Sequence, residues 1–203
     1  MVTASPDTLT IERRLTVAQA KRRARARDAA RALAAEGGYA AVTMHDVARR
    51  SGIARATVYR YFASKDHLLA EVALEWGREL VADLAAAPPR GATLAARVAS
   101  VFTRVIEAAA REPELTDAVV AAAISADPEA VRAQARLAEL VRGYLQAAIG
   151  DRAVDRRNDR EMVMSHLFFS SLLNLTRGRL DAGEAAALFR TAAALLYPEG
   201  RKR

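Results

Sequence analysis

Residues 43–62 constrain the fold of this chain more than any other segment. Thr43 can cap a helix that begins at Met44, and Gly52 can supply the left-handed backbone that ends it. Ala48 is small enough to let a second helix cross the first closely. The spacing predicts two short helices, over about residues 44–51 and 54–62, whose inward face comprises Val47, Ile53, Val58 and Phe62. The segment therefore has the pattern of a helix-turn-helix.

The rest of the sequence also predicts helices. Alanine makes up about one residue in four, glycine occurs only ten times, and runs of β-branched or aromatic residues are few. These features favour an all-α fold. Turn-forming residues divide the chain into about nine helices; the breaks lie near residues 37–38, 52, 63–64, 88–91, 113, 127–128, 150–158, 178–181 and 198.

The predicted organisation has four parts. Residues 1–18 have no apolar stripe and are expected to form a flexible N-terminal arm. Residues 19–66 are expected to form a three-helix DNA-binding domain around the helix-turn-helix, and residues 67–199 a larger helical domain. Residues 200–203 are expected to form a basic tail.

Positive charge is concentrated in the first third of the chain. Residues 1–65 contain 13 Lys+Arg and 5 Asp+Glu, whereas residues 66–203 contain 18 and 19. All of the excess positive charge therefore lies in the first third of the chain, which contains the helix-turn-helix. This distribution is typical of a nucleic-acid-binding module joined to a nearly neutral one, although a basic segment can also act only as a solubilising feature.

The second predicted helix has side chains suited to the major groove of DNA. Once its inward residues are set aside, it presents hydrogen-bond donors and a methyl group on Arg55, Thr57, Tyr59, Arg60 and Tyr61. No acidic residue occurs between positions 48 and 65, which favours contact with phosphate. Helix pairs with this spacing also arise by chance in helical proteins, so the pattern alone leaves that alternative open.

The same region resembles the N-terminal domain of the TetR family of bacterial transcriptional regulators. The resemblance covers about residues 20–70 and rests on Gly38-Tyr39, Thr43-Met44, Val47-Ala48, Ser51-Gly52-Ile53, residues 57–62, Ser64-Lys65 and Leu68-Leu69. It implies an all-helical homodimer that binds a palindromic double-stranded operator through three N-terminal helices. A C-terminal domain would bind a small molecule and dimerise. One departure is Ala54, where the family usually has a capping serine, and loss of that cap costs about 1 kcal/mol.

The resemblance also implies roles for individual residues. Thr43, Tyr59, Tyr61 and Lys65 are expected to contact the phosphate backbone. The expected contacts to base edges are Arg55, Ala56 and Thr57, with Arg60 on the same DNA-facing helix. A basic group near the N-terminus is expected to reach a flanking minor groove or phosphates, and comprises Lys21, Arg22, Arg23, Arg25 and Arg27. A solvated helix face is the alternative interpretation of that group.

The larger domain more weakly resembles the branch of the family that includes the actinobacterial repressors of cholesterol catabolism. This resemblance rests on residues 115–119, 126–127 and 172–177. It implies a small hydrophobic effector, such as an acyl-CoA or a steroid-derived thioester. The expected effector pocket is lined by Trp76, Phe102, Ile106, Val120, Ile124, Leu140, Tyr144, His166 and Phe169. Apolar stripes of this kind also occur in an ordinary hydrophobic core.

Residues 162–175 form the most apolar stretch, with apolar side chains on more than one face. Such a helix must be covered on all sides. Together with the final helix, over about residues 182–196, it is expected to form a four-helix dimer interface through Met162, Leu167, Ser170, Leu173, Asn174, Leu188 and Leu195. His166 is assigned to this interface, to the pocket or to a buried structural position.

Several other kinds of chemistry are not expected. The chain has no cysteine, and its three histidines lack the spacing of metal ligands, so neither a metal site nor a cofactor is predicted. No glycine-rich phosphate loop, nucleophile elbow or catalytic carboxylate pair indicates an enzyme. The absence of a membrane-spanning run and of a signal peptide predicts a cytoplasmic protein with no membrane partner.

The sequence thus predicts a sequence-specific DNA-binding regulator, specifically a repressor released by a small hydrophobic ligand. Two alternatives stay open. One is an architectural or ligand-independent DNA-binding protein, and the other is an all-helical enzyme or carrier with an incidental basic face.

Overall fold

The computed structural model describes residues 15–87, 89–149 and 157–198. Within these ranges the chain forms nine α-helices and no strand, which confirms the predicted all-α fold. The helices are α1 (Val17–Ala41), α2 (Met44–Ser51), α3 (Arg55–Tyr61), α4 (Lys65–Ala86), α5 (Leu94–Arg111), α6 (Pro113–Ala123), α7 (Pro128–Ile149), α8 (Arg157–Thr176) and α9 (Ala182–Leu196). Helix α1 begins within the range assigned to the N-terminal arm. Residues 1–14 of that arm and the basic tail lie outside the described residues.

Local sequence explains where α1 and α9 begin. Thr16 caps α1 in a reciprocal capping box with Gln19, and Asp181 and Glu184 form the same arrangement at α9. Near its C-terminus α1 is kinked at the predicted Gly37-Gly38 break, where Gly38 has a φ of +64°. A side chain there would be strained, since L-residues rarely adopt positive φ.

The first hydrophobic core joins the N-terminal helices to the rest of the chain. Small residues along α1, including Ala26, Ala30 and Ala34, let α2, α3 and α4 pack closely against it. The same core continues into Leu68 on α4 and Leu115 on α6. We use the term head for α1–α3 and body for α4–α9. The continuous core makes the orientation of the head depend on α4 and α6.

A second core lies within the body, between α5, α8 and α9. Its centre is formed by Phe102, Phe168 and Phe189, one from each helix. The rings of Phe102 and Phe189 are stacked, with centroids 5.1 Å apart and planes 16° apart. This cluster fixes α9 against α5.

Helices α4 and α7 pack closely because small residues line their contact. Ala70 on α4 is buried with Ala130 and Ala133 on α7. Farther along, a Cβ placed on Gly77 would lie 2.5 Å from Cδ1 of Leu137. Helix α7 therefore cannot move towards α4 without displacing it. None of the helices in the described parts of the chain is long and apolar enough to cross a bilayer.

Candidate nucleic-acid interface

The helix-turn-helix has the geometry that its sequence predicts. Thr43 Oγ1 accepts a hydrogen bond from the backbone N–H of Asp46 at 3.1 Å and caps α2. Gly52 ends α2 with a φ of +65°, and the N–H of Ile53 donates to the carbonyl of Ala48 at 3.1 Å. Helix α3 begins at Arg55, after a turn of only three residues.

Helix α3 has one buried face and one exposed face, with Val58 inward as predicted. Val58 is fully buried. The outer face is formed by Arg55, Ala56, Tyr59 and Arg60, with Thr57 half-buried at its edge. Tyr59 is 44% exposed, and the Arg55 guanidinium lies 5.6 Å from its ring centroid. The residues that could contact base edges therefore form a continuous surface.

The N-terminus of α3 lacks a side-chain cap, because Ala54 occupies the capping position with φ −56° and ψ 135°. We expect Ala54→Ser to raise the free energy of unfolding by about 0.5–1 kcal/mol, since a hydroxyl there can accept a hydrogen bond from a first-turn N–H. Urea unfolding followed by circular dichroism measures the change. The control is Ala135→Ser, the same substitution at an exposed position within α7, which we expect to be slightly destabilising. Equal effects of the two substitutions would show that a hydroxyl at position 54 does not stabilise α3 as a cap.

Three arginines of α1 point towards α4 and not towards solvent. Arg23 pairs with Glu71 at 2.9 Å, and its guanidinium lies 5.1 Å from the ring centroid of Phe62. Two further pairs follow at four-residue intervals, Arg27–Glu75 at 2.9 Å and Arg31–Glu79 at 2.5 Å. We call these three pairs the α1–α4 ladder. The charge of Arg23 is therefore used inside the protein in this conformation, which argues against the predicted DNA contact, and Arg27 is engaged in the same way.

Other cations near α3 differ in whether they have acidic partners. Arg49 pairs with Asp46 at 3.1 Å, and Arg50 makes a two-pronged pair with Glu36 at 2.6 Å. Hydrogen bonds from the Thr43 hydroxyl and from Arg49 lower the pKa of Asp46. Within the described ranges, no ion pair involves Lys21, Arg22, Arg25, Arg55 or Arg60. Lys65 has no ion pair within these ranges either, so six cations near α3 are available to an external anion.

Tyr61 does not present its hydroxyl on the outer face, which corrects the prediction of a phosphate contact. The hydroxyl oxygen is buried. The adjacent Arg22 guanidinium is the main cause of a lowered Tyr61 pKa, and the Arg60 guanidinium lies 5.8 Å from the Tyr61 ring centroid. Tyr61 thus packs between α3 and α1, and it is Tyr59 that remains exposed on this helix.

Lys65 lies where α3 turns into α4, beside the end of α1. Its Nζ is 3.5 Å from the ring centroid of Tyr39, and partial burial lowers its pKa. The Tyr39 hydroxyl donates to Asp66 at 2.7 Å, and this hydrogen bond is the main cause of a Tyr39 pKa of about 12. The second oxygen of Asp66 accepts from Ser125, in the turn before α7, at 2.6 Å. Head and body are therefore also joined at the start of α4.

The predicted effector-pocket residues do not gather around one described cavity. Trp76 is buried in the first core, whereas Phe102 and Ile106 are buried in the second. Tyr144 packs against the second core, and its hydroxyl donates to the Leu84 carbonyl at 3.2 Å. Of the remaining residues, Val120 is buried and Leu140 and Phe169 are half-buried. The sequence did not distinguish pocket lining from core packing.

Two residues predicted to line the pocket are exposed in the single chain. Ile124 is 74% exposed, because it lies at the end of α6, beyond the packed face. His166 is also exposed, so it is not a buried structural histidine in the single chain, and its position on α8 is compatible with the predicted interface. The inward face of α8 instead contains Met164 and Phe168, which pack in the second core.

The predicted dimer-interface residues are mostly accessible. Met162, Ser170, Leu173, Leu188 and Leu195 are exposed on α8 and α9, whereas Leu167 and Asn174 are half-buried. Asn174 donates to the Ser170 carbonyl at 2.8 Å within its own helix. An open cleft of about 360 Å³ lies at the same end of the body, lined by Asp159, Arg160, Val163, Leu195, Leu196 and Pro198. In the part of the chain that the structure describes, no group of His, Asp and Glu side chains is placed to hold a metal ion.

Comparison with protein families identifies both parts of the chain. Residues 26–72 match the family described as bacterial regulatory proteins, tetR family. Residues 91–196 match the tetracyclin repressor-like C-terminal domain, so the two matches include most of the chain. The protein belongs to the TetR family. This TetR-family protein is a DNA-binding transcriptional regulator, as the helix-turn-helix predicts.

Individual relatives agree with this assignment. The HTH-type transcriptional repressor KstR of Rhodococcus jostii is 32% identical over 188 residues, covering 92% of this chain and 87% of that protein. A TetR transcriptional regulator from Rhodococcus sp. RHA1 has a similar structure, with a TM-score of 0.80 and 26% identity over 89% of this chain and 98% of that one. FadR of Thermus thermophilus, in complex with lauroyl-CoA, shares the fold at a TM-score of 0.66 and 20% identity, covering 89% and 97% of the two chains.

Proposed function

We propose that this TetR-family regulator is a homodimeric repressor that binds a palindromic operator through α3 and releases it when a small hydrophobic ligand binds the body. One observation carries the proposal. Six cations without described acidic partners, Lys65 included, surround a helix pair whose outer face is free of acidic residues from position 48 to 65. A surface of this kind attracts the phosphate backbone, and the exposed side chains of α3 are placed to read bases.

The proposed DNA contacts follow from exposure. Arg55, Ala56 and Thr57 lie at the start of α3 and would reach base edges. Tyr59 and Arg60 follow on the same face. Contacts to phosphate are proposed for Tyr59, Arg60, Thr43, Lys65, Lys21, Arg22 and Arg25. Arg23 and Tyr61 are left out because their polar groups face the protein interior.

We expect Arg55→Met to weaken binding to the operator about 10- to 100-fold, because a guanidinium that reads a base contributes about 1–3 kcal/mol. Fluorescence anisotropy with a labelled duplex from immediately upstream of the gene measures the affinity. The side chain is exposed, so the midpoint of thermal unfolding should not change. The matched control is Arg132→Met, an exposed arginine on α7 of the body. Equal losses in both variants, or none in either, would contradict the assignment of α3.

Dimerisation is supported by the distribution of exposed apolar side chains. Nine large apolar residues are exposed in the described parts of the single chain, and five of them lie on α8 and α9: Met162, Val163, Leu173, Leu188 and Leu195. An apolar surface concentrated on two adjacent helices is typical of a protein interface. A two-fold axis through it would place two heads on one operator, which fits the palindromic DNA that we propose.

The proposed effector is a hydrophobic acyl-CoA or a steroid-derived thioester. The support is the sequence similarity to KstR and the shared fold with a FadR that holds lauroyl-CoA. Repression would be relieved only if the ligand favours the conformation that cannot bind DNA. A ligand with equal affinity for both conformations would not change their relative populations.

A thermal-shift screen tests the proposed ligand class. A ligand present at about 100 times its Kd stabilises the folded protein by about 2.7 kcal/mol. We expect lauroyl-CoA or a steroid-acid CoA thioester to raise the unfolding temperature and to reduce operator binding at the same concentration. Operator binding with no stabilisation by any thioester would favour the ligand-independent alternative. Failure to retard the upstream duplex at low salt would favour the enzyme or carrier.

A further inference from the structure

The carboxylate of Glu71 is buried at the contact between the head and the body. Its side chain is only 3% exposed. Oε2 pairs with Arg23 of α1 at 2.9 Å, and Oε1 is in contact with Arg136 of α7. The Nε2 atom of His67, one turn earlier on α4, lies 3.8 Å from Oε1. One carboxylate is thus shared between a cation of the head and a cation of the body.

A buried carboxylate of this kind is stable only with its partners in place. Removal of a charge from water is strongly unfavourable unless close cations offset it. If Arg136 moved away, Glu71 would keep one arginine and would reposition around it. Arg23 cannot adjust freely, because its guanidinium also packs over Phe62 at the end of α3. A shift at α7 would therefore be felt at the DNA-facing helix.

The surrounding contacts restrict where such a shift can go. Helix α7 lies directly against α4 at Ala70, Ala130 and Ala133, with little space to absorb a movement. The other two pairs of the α1–α4 ladder, Arg27–Glu75 and Arg31–Glu79, do not involve α7. Arg31 also pairs with Glu112, between α5 and α6, at 3.7 Å. Among the described ion pairs, the Glu71 cluster alone joins α1, α4 and α7 through one side chain.

We infer that Glu71 is a positioning residue that sets the orientation of the head from the position of α7, through Arg136 on one oxygen and Arg23 on the other. The inference rests on the proposed function only in giving α3 its role in DNA binding. The connection from α7 to α3 is a property of the folded protein and can be measured without DNA.

Hydrogen–deuterium exchange of the full-length protein tests this connection. In Arg136→Met, amides of α3 and of the first half of α1 should exchange about three- to tenfold faster than in the unchanged protein, although the substitution is on α7. In a protein that already carries Arg23→Met, the same substitution should not increase the exchange rate at α3 further, because the connection is already broken. The control Arg132→Met, one helical turn away and exposed, should leave exchange in the head unchanged.

A conservative variant separates positioning from simple loss of stability. Arg136→Lys keeps a cation near Glu71 and should restore most of the protection at α3. If Arg136→Met does not fold, the same exchange measurement can be made on Arg136→Lys. Faster exchange confined to α7 and α4 would overturn the inference. An equal effect of Arg136→Met at α3 with and without Arg23 would also overturn it.

Operator affinity gives a second and separate measurement. If the inference holds, Arg136→Met should weaken binding to the upstream duplex when Arg23 is present. In a protein that already carries Arg23→Met, it should not weaken binding further. If no protein variant binds DNA while exchange at α3 still depends on Arg136, the proposed function fails and the connection stands. If DNA binds but exchange and affinity are insensitive to Arg136, the connection fails and the proposed function stands.

Discussion

Aspartate at both Leu188 and Leu195 is expected to convert the protein into monomers and to weaken operator binding by about a hundredfold or more, because two linked heads bind far more tightly than one. The two leucines lie seven residues apart on α9, 44% and 76% exposed in the single chain. Placing carboxylates within an apolar interface leaves buried charges without partners, which is strongly unfavourable. Since both side chains face outward, the fold of each subunit should be preserved.

The measurement is the mass in solution by light scattering after size exclusion, together with anisotropy on the upstream duplex. The control is Val131→Asp, an apolar residue of similar exposure on α7, outside the proposed interface. We expect the control to remain dimeric and to bind DNA normally. A double variant that stays dimeric would show that the interface does not include this face of α9. A monomer with undiminished affinity would contradict cooperative binding by two heads.

Sequence reasoning succeeded where local chemistry determines the structure. The limits of α2 and α3 follow from the Thr43 cap, the Gly52 turn and the inward Val58, all within twenty residues. The same holds for the kink at Gly38 and for α6, which begins at Pro113. None of these features requires knowledge of a distant partner.

Sequence reasoning failed where long-range partners determine the structure. Arg23 belongs to a run of basic residues, and nothing in that run shows that Glu71, 48 positions later, takes its charge. A signal was present, since arginines at 23, 27 and 31 have the same four-residue spacing as glutamates at 71, 75 and 79. If the two helices pack in parallel, each arginine lies beside one glutamate.

The effector pocket is a second feature that the sequence leaves undetermined. An apolar stripe identifies the buried side of a helix, but it does not show whether that side meets another helix or a ligand. Phe102 was assigned to the pocket, and it stacks on Phe189 in the core. Ile124 fits the stripe on α6 and lies outside the packed face because the helix ends there.

The largest expected effect of pH on stability comes from Glu71. Burial opposes its ionised form, but the nearby His67 ring and the charges of Arg23 and Arg136 outweigh burial and lower the pKa of Glu71 from 4.5 to about 2. Because this pKa is lower in the folded protein than in the unfolded chain, the stabilisation is fully present above about pH 5. It is lost as the pH falls towards 2, and it amounts to about 3 kcal/mol.

Glu71→Gln isolates this contribution from the other carboxylates that titrate in the same range, such as Asp46 and Asp127, whose pKa values are also lowered. At pH 7 we expect the variant to be less stable than the unchanged protein by about 3 kcal/mol, since the amide cannot neutralise Arg23 and Arg136. Near pH 2 the protonated carboxyl resembles the amide, so the two free energies of unfolding should converge. Urea unfolding at intervals between pH 7 and pH 2 measures the gap. Parallel curves would show that the charge on Glu71 does not stabilise this contact between head and body, whereas convergence would show that its ionised form does.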